Sequence, residues 1–152
     1  MRARFLTALL LLVMWGAASA SPETYKGWVL LDEQEHPAVG VVVIESAKQF
    51  KAWQKRLPGK VPSKKQPAPT NPDPLRNSDS LDFSKYRLLV LERTQTLSGY
   101  PEFVELKETD EEILAVFRLP ELVAEARPFG WGAYRAVLIP RVGKSIQVKY
   151  VD

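Results

Sequence analysis

Six prolines, Pro58, Pro62, Pro67, Pro69, Pro72 and Pro74, fall among Ser, Lys, Asn and Asp residues between positions 58 and 80. Proline has no amide hydrogen and a fixed φ, so neither a helix interior nor a central strand can run through such a stretch. Its composition predicts an extended spacer or long loop that buries little. The fold must therefore be assembled from the two flanks, 21–57 and 81–152. The chain has no cysteine, so packing alone has to hold those flanks together. Disulfide scaffolds, cysteine nucleophiles and thiolate zinc sites are excluded at once.

The first residues read as a targeting segment. Arg2 and Arg4 precede an apolar run over 5–18 that only Thr7 and Gly16 interrupt, and Ala18-Ser19-Ala20 supplies the small residues a signal peptidase reads. A signal peptide over 1–20, cut after Ala20, is expected. The run is shorter than the roughly 20 residues that span a bilayer, so no membrane anchor is expected after processing. The destination is then a periplasm or the outside medium, and 21–152 amounts to one domain. The formal net charge is +3, and two of the basic residues lie in the leader. The remaining basic clusters, Lys48, Lys51, Lys55 and Arg56, then Lys60, Lys64 and Lys65, are predicted to be solvated. Nucleic acid is not expected as a partner.

Residues 28–31 and the β-branched run 39–44 are predicted to form a hairpin. A helix follows, with Ser46 as N-cap and Gln49 completing a capping box. Phe50, Trp53 and Leu57 fall on its apolar face, and Pro58-Gly59 ends it. Trp53 is expected in the core. In the second half, 86–91 is apolar enough for a central strand. Strands at 100–107 and 113–119 flank the polar connection 108–112, a hairpin signature. A strand over 133–139 leads through a turn at 141–144 to a last strand, in which Ile146, Val148 and Tyr150 alternate with polar residues. The second half reads as antiparallel β. The expected fold is α+β, mainly β: one helix packed on a mostly antiparallel sheet or a small β-barrel or sandwich.

No catalytic residues emerge. The one histidine, His36, sits beside Pro37 in a polar stretch, which leaves a nucleophile without a base and a zinc ion without ligands. No cofactor is expected, because the glycines form no phosphate-cradling pattern. The available carboxylates, Glu102, Glu105, Glu108, Asp110, Glu111 and Glu112, cluster on or near a hairpin predicted to be exposed. Acid catalysis needs a buried carboxyl with a raised pKa. Two loops carry the stronger signal. In 96–101, Ser98, Gly99 and Tyr100 combine a flexible turn with an aromatic, and in 127–132, Arg127, Phe129 and Trp131 do the same. Aromatics and arginine presented in this way favour contacts with a partner protein.

Leu81-Asp82-Phe83-Ser84-Lys85-Tyr86 leading into an apolar strand, Ser98-Gly99-Tyr100 ahead of the next, and 134–140 followed by a turn and a final strand resemble the C-terminal domain of the PrcB family. These proteins are accessory subunits of exported bacterial protease complexes. The resemblance spans about 81–151, with Ser98 standing where the family has a first glycine. It implies a non-catalytic domain that binds another exported protein. A second resemblance joins Leu97-Ser98-Gly99-Tyr100 and Arg127-Pro128-Phe129 to the inhibitory loops of chagasin-like cysteine-protease inhibitors. It implies two loops wedged into a protease cleft.

Overall fold

The computed structural model describes residues 21–31, 39–79, 81–93, 99–121 and 130–152. Two strands set the architecture. β3 (Tyr86–Arg93) and β6 (Trp131–Pro140) are the most deeply buried, and β3 has seven of its eight residues buried. Strands covered on both faces must lie at the centre of a sheet, and these two pair antiparallel with each other, Val90 opposite Ala136. β1 (Thr24–Leu30) flanks β6 and β2 (Val39–Ile44) flanks β3, giving the order β1-β6-β3-β2.

The predicted hairpin between 28–31 and 39–44 does not form. β1 pairs with β6 and β2 with β3, so the two lie at opposite edges. β1 alternates buried with more exposed positions and β2 buries only Ile44, both of which suit an edge, whereas the apolar β3 and β6 exclude them from the middle.

Alternation along β3 builds two cores. Leu88 and Val90 face helix α1 (Ala47–Gln54) together with Val29, Phe50, Trp53 and Tyr134. Leu89 and Leu91 face the other way, onto a second sheet, with Phe117, Val137 and Ile139. The result is three layers: helix, four-stranded sheet, three-stranded sheet. Neither sheet closes into a barrel, so the α+β, mainly β reading holds in its sandwich form.

The second sheet has the order β4-β5-β7. β4 (Glu102–Glu108) and β5 (Glu112–Arg118) form the predicted hairpin, and the Thr109 hydroxyl accepts the Glu112 amide at 3.1 Å in its turn. β7 (Ser145–Val151) runs parallel to β5, with Ile146 opposite Ile113. This departs from an all-antiparallel second half. The chain leaves β5, crosses into the first sheet as β6 and returns through 141–144, where Gly143 takes φ +69°, so β7 arrives in the direction of β5.

α1 begins at the predicted N-cap: Ser46 Oγ accepts the Gln49 amide, while Gln49 Oε1 takes the amide of Glu45, one residue before the cap, in place of the Ser46 amide of a capping box. It ends earlier than Pro58. Lys55 caps it, and i→i+3 bonds from Arg56 to Trp53 and from Leu57 to Gln54 carry the chain onward. Phe50, Trp53 and Leu57 are all buried.

The proline-rich segment is loop over 59–70, as expected, but its second part departs from expectation. Asn71, Asp73 and Leu75 within it are 3%, 4% and 1% exposed, and a second helix, α2 (Pro74–Asn77), follows Asp73. Side chains supply the bonds that proline removes from the backbone. Asn71 Nδ2 donates to the Pro58 carbonyl at 2.8 Å, Asn71 Oδ1 accepts the Asp73 amide, and Asp73 Oδ1 accepts the Leu75 amide. Gln54 Nε2 donates to the carbonyls of Leu75 and Ser78, which fastens α2 to α1. Among the described residues no helix is long and apolar enough to cross a membrane.

Candidate binding site

A groove of about 380 Å³ runs along the outer side of β1. Thr24, Lys26 and Trp28 form one wall, Asn71 and Asp73 the other, and Tyr100 closes the end. The walls can approach because residue 27 is glycine. A Cβ there would collide with Asp73 Oδ2 and lie 2.9 Å from Tyr134 Cε1.

Asp73 is committed to the fold. Oδ2 accepts the Tyr134 hydroxyl at 2.5 Å, and Oδ1 takes the Leu75 amide at 2.9 Å. The Tyr134 hydroxyl is held far above the usual phenol range, first by burial and then by Asp73. Tyr100 is raised too, by burial and by the charge of Asp73.

Above the groove, three aromatics from distant parts of the chain meet. The Trp28 ring lies 5.7 Å from Tyr100, tilted at 60°, and 6.4 Å from Trp131, nearly edge-on at 76°. Such tilted and edge-to-face pairs are the favoured aromatic arrangements. Lys26 Nζ sits 5.3 Å above the Tyr100 ring, within cation–π range. All three rings are half-buried, while Lys26 is exposed. Arg135 Nε donates to the Pro101 carbonyl at 2.8 Å and fixes the chain just after Tyr100. Burial beside these rings lowers the pKa of Arg135.

Two of the contact residues expected from sequence, Tyr100 and Trp131, thus come together from separate loops, with Gly99 adjacent to the first. Ser98, Arg127 and Phe129 lie outside the described residues, as does His36. Trp28, which joins the two rings, was missed because it reads as one residue of an apolar strand. The signal was the i, i+2 row Lys26, Trp28, Leu30, which puts a cation and a large ring on one face of a strand.

The acids near the β4–β5 hairpin are solvated, as the sequence reading expects. Glu102, Glu105 and Glu108 are exposed and pair with Arg118, Lys107 and Lys144. Among the described residues the buried carboxylates are Asp73 and Glu92, neither of which the sequence singled out. Glu92 accepts Trp53 Nε1 and Arg56 Nη2, both at 2.8 Å. Arg56 is therefore half-buried and tied to an interior carboxylate, not free in the solvated cluster expected of it. Both oxygens of each buried acid have a protein partner, which leaves Lys26 as the exposed charge at the groove. Among the described residues no group of three or more His, Asp or Glu side chains is placed to hold a metal ion.

No protein-family model, curated protein or solved structure matches this chain.

Proposed function

We propose that this is an exported, non-catalytic binding domain that associates with another exported protein, in the manner the PrcB resemblance implies. The observation that supports this reading is the convergence of Trp28, Tyr100 and Trp131 beside a groove. Tryptophan and tyrosine are enriched among the few side chains that carry most of the energy in protein interfaces. They bring large contact area and lose little conformational freedom on binding. The same convergence of the two loop ends favours a second reading, a chagasin-like wedge in a cysteine-protease cleft.

The test is recovery of a partner on the tagged protein from its native envelope or culture fluid, repeated with Trp28→Ala and Trp131→Ala. Under this proposal a defined partner is lost with either variant while the circular dichroism spectrum is kept. Recovery of the same partner with both variants would remove the aromatic face from the interaction. Inhibition of a papain-like protease at submicromolar concentration would favour the wedge.

A further inference from the structure

The hydrogen bonds around β1 settle which way each of its residues points. The Glu23 carbonyl accepts the Leu138 amide, and the Leu31 amide donates to the Gly130 carbonyl, so odd-numbered residues turn toward β6. The Leu30 amide donates the opposite way, to the Arg56 carbonyl at 2.8 Å, and Arg56 Nε returns a bond to the Leu30 carbonyl. Backbone groups alternate sides along an antiparallel strand. Thr24, Lys26 and Trp28 therefore aim their amides and carbonyls outward, into the groove.

The opposite wall leaves these groups free. Pro72 and Pro74 have no amide hydrogen, the Asp73 amide is bonded to Asn71 Oδ1, and the Asn71 amide to the Gly59 carbonyl. Among the described residues no backbone partner faces Thr24, Lys26 or Trp28 from that side. Exposed strand edges are ordinarily blunted by a bulge, a proline, a charged side chain or a covering loop. This one carries the single charge of Lys26, is bounded at one end by Arg56, and is separated from the proline-bearing loop by a groove along the rest.

We propose that this edge takes an extended segment of the partner protein as an added strand. This rests on the binding-domain reading and specifies the partner chemistry. Outward groups recur every second residue, about 7 Å apart, which is the repeat of an extended chain and of no helix. Lys26 and Trp28 project on the same face, so the added segment presents two side chains to them, also two residues apart. Opposite the exposed Lys26 ammonium the complementary residue is acidic, because both oxygens of Asp73 are already bonded. Opposite Trp28 it is aromatic or β-branched. The partner segment is thus extended, with an acidic residue two positions from a large apolar one.

The probe is a short acetylated peptide amide with glutamate and phenylalanine two positions apart, flanked by threonine and valine. Its binding is followed by tryptophan emission and by hydrogen exchange of individual amides. The expected result is binding that slows exchange at Lys26 and Trp28. It should weaken at least tenfold when the peptide amides that would face β1 are N-methylated. Lys26→Pro removes one outward donor and no bond to β6, so it should abolish binding and leave the fold intact. Lys26→Glu should shift preference to a peptide with lysine in place of glutamate. Should Lys26→Pro not fold, the N-methylated peptide against the unaltered protein decides.

A Kd weaker than about 1 mM for the unmodified peptide overturns the proposal, as does equal binding of the N-methylated one. So does saturable binding of a cell-wall oligosaccharide in its place. If N-methylation has no effect while Trp28→Ala loses both peptide and partner, the aromatic face stands and strand addition falls. If N-methylation matters but the alanine variants still recover the partner, strand addition stands and the aromatic face falls.

Discussion

The Tyr134 hydroxyl donates to Asp73 Oδ2 at 2.5 Å, directly beneath Gly27. This bond ties the proline-rich segment to the central strand β6, and it exists only because β1 has no side chain at position 27. Gly27→Ala should therefore displace Asp73 and cost about 2 kcal/mol or more, the range for forcing atoms into a filled interior. Urea denaturation with tryptophan emission measures it. A change under about 0.5 kcal/mol, typical of a free surface position, would mean that Asp73 has room to move aside.

The same tyrosine makes stability depend on alkaline pH. Its folded-state pKa is raised above the ordinary 10.0 by burial and by Asp73. A group raised in this way contributes stability that is complete below its unfolded value and is lost as pH climbs above it. The denaturation midpoint should accordingly hold steady up to about pH 10 and fall beyond it, with Tyr134 ionising only as the chain unfolds. Tyr134→Phe should lower stability at neutral pH by about 1–3 kcal/mol, because Asp73 Oδ2 loses its partner, and should flatten the alkaline decline. Stopped-flow absorbance of tyrosinate against circular dichroism separates the two events. Ionisation of Tyr134 in the folded chain would contradict the burial argument.

These two effects involve residues that sequence reading passed over, and the reason is physical. β3, β6, the β4–β5 hairpin and the capped start of α1 are recorded locally, in apolar runs, a polar connection and the Ser46–Gln49 pair. Which edge strand joins which centre is not local. The pairing of β1 with β6 joins positions more than a hundred residues apart, for instance Trp28 and Ala133. Nothing near Trp28 encodes that choice. The parallel pairing of β5 with β7 likewise depends on β6 being taken into the other sheet. Asp73 sits in a stretch whose composition signals exposure, and its burial follows from Tyr134, 61 positions away, which meets it only in the folded chain. Tyr100 and Trp131 were legible because glycine and proline mark their loops; Trp28 was hidden by looking like an ordinary strand residue.

Arg56 and Glu92 provide a separate test of the interior. Glu92 is 3% exposed on its side chain and Arg56 28%, at 2.8 Å. Arg56→Met leaves a buried carboxylate with only Trp53 Nε1 as donor, and should cost about 2 kcal/mol, less than a fully buried pair because Arg56 reaches solvent. Adding Glu92→Gln should recover part of that loss, since the uncompensated charge disappears. A double-mutant cycle under urea gives the coupling directly. Strict additivity would show that the two side chains do not depend on each other.

Asn71 connects stability to binding. Its side chain holds the Pro58 carbonyl and the Asp73 amide, and its own amide reaches the Gly59 carbonyl, so one residue gathers both ends of the proline-rich loop. Asn71→Ala should release that loop at a cost of about 1–3 kcal/mol, mostly local, since two groups lose their partner. Trypsin should then cut faster after Lys60, Lys64 and Lys65, while Trp53, on the far side of Asp73 and Tyr134, keeps its emission. The wall facing Lys26 and Trp28 would loosen with it, so partner or peptide binding should weaken in the same variant although no contact residue has changed. Faster cleavage with undiminished binding would show that β1 and the aromatic rings suffice without that wall, and would confine the role of the proline-rich segment to stability.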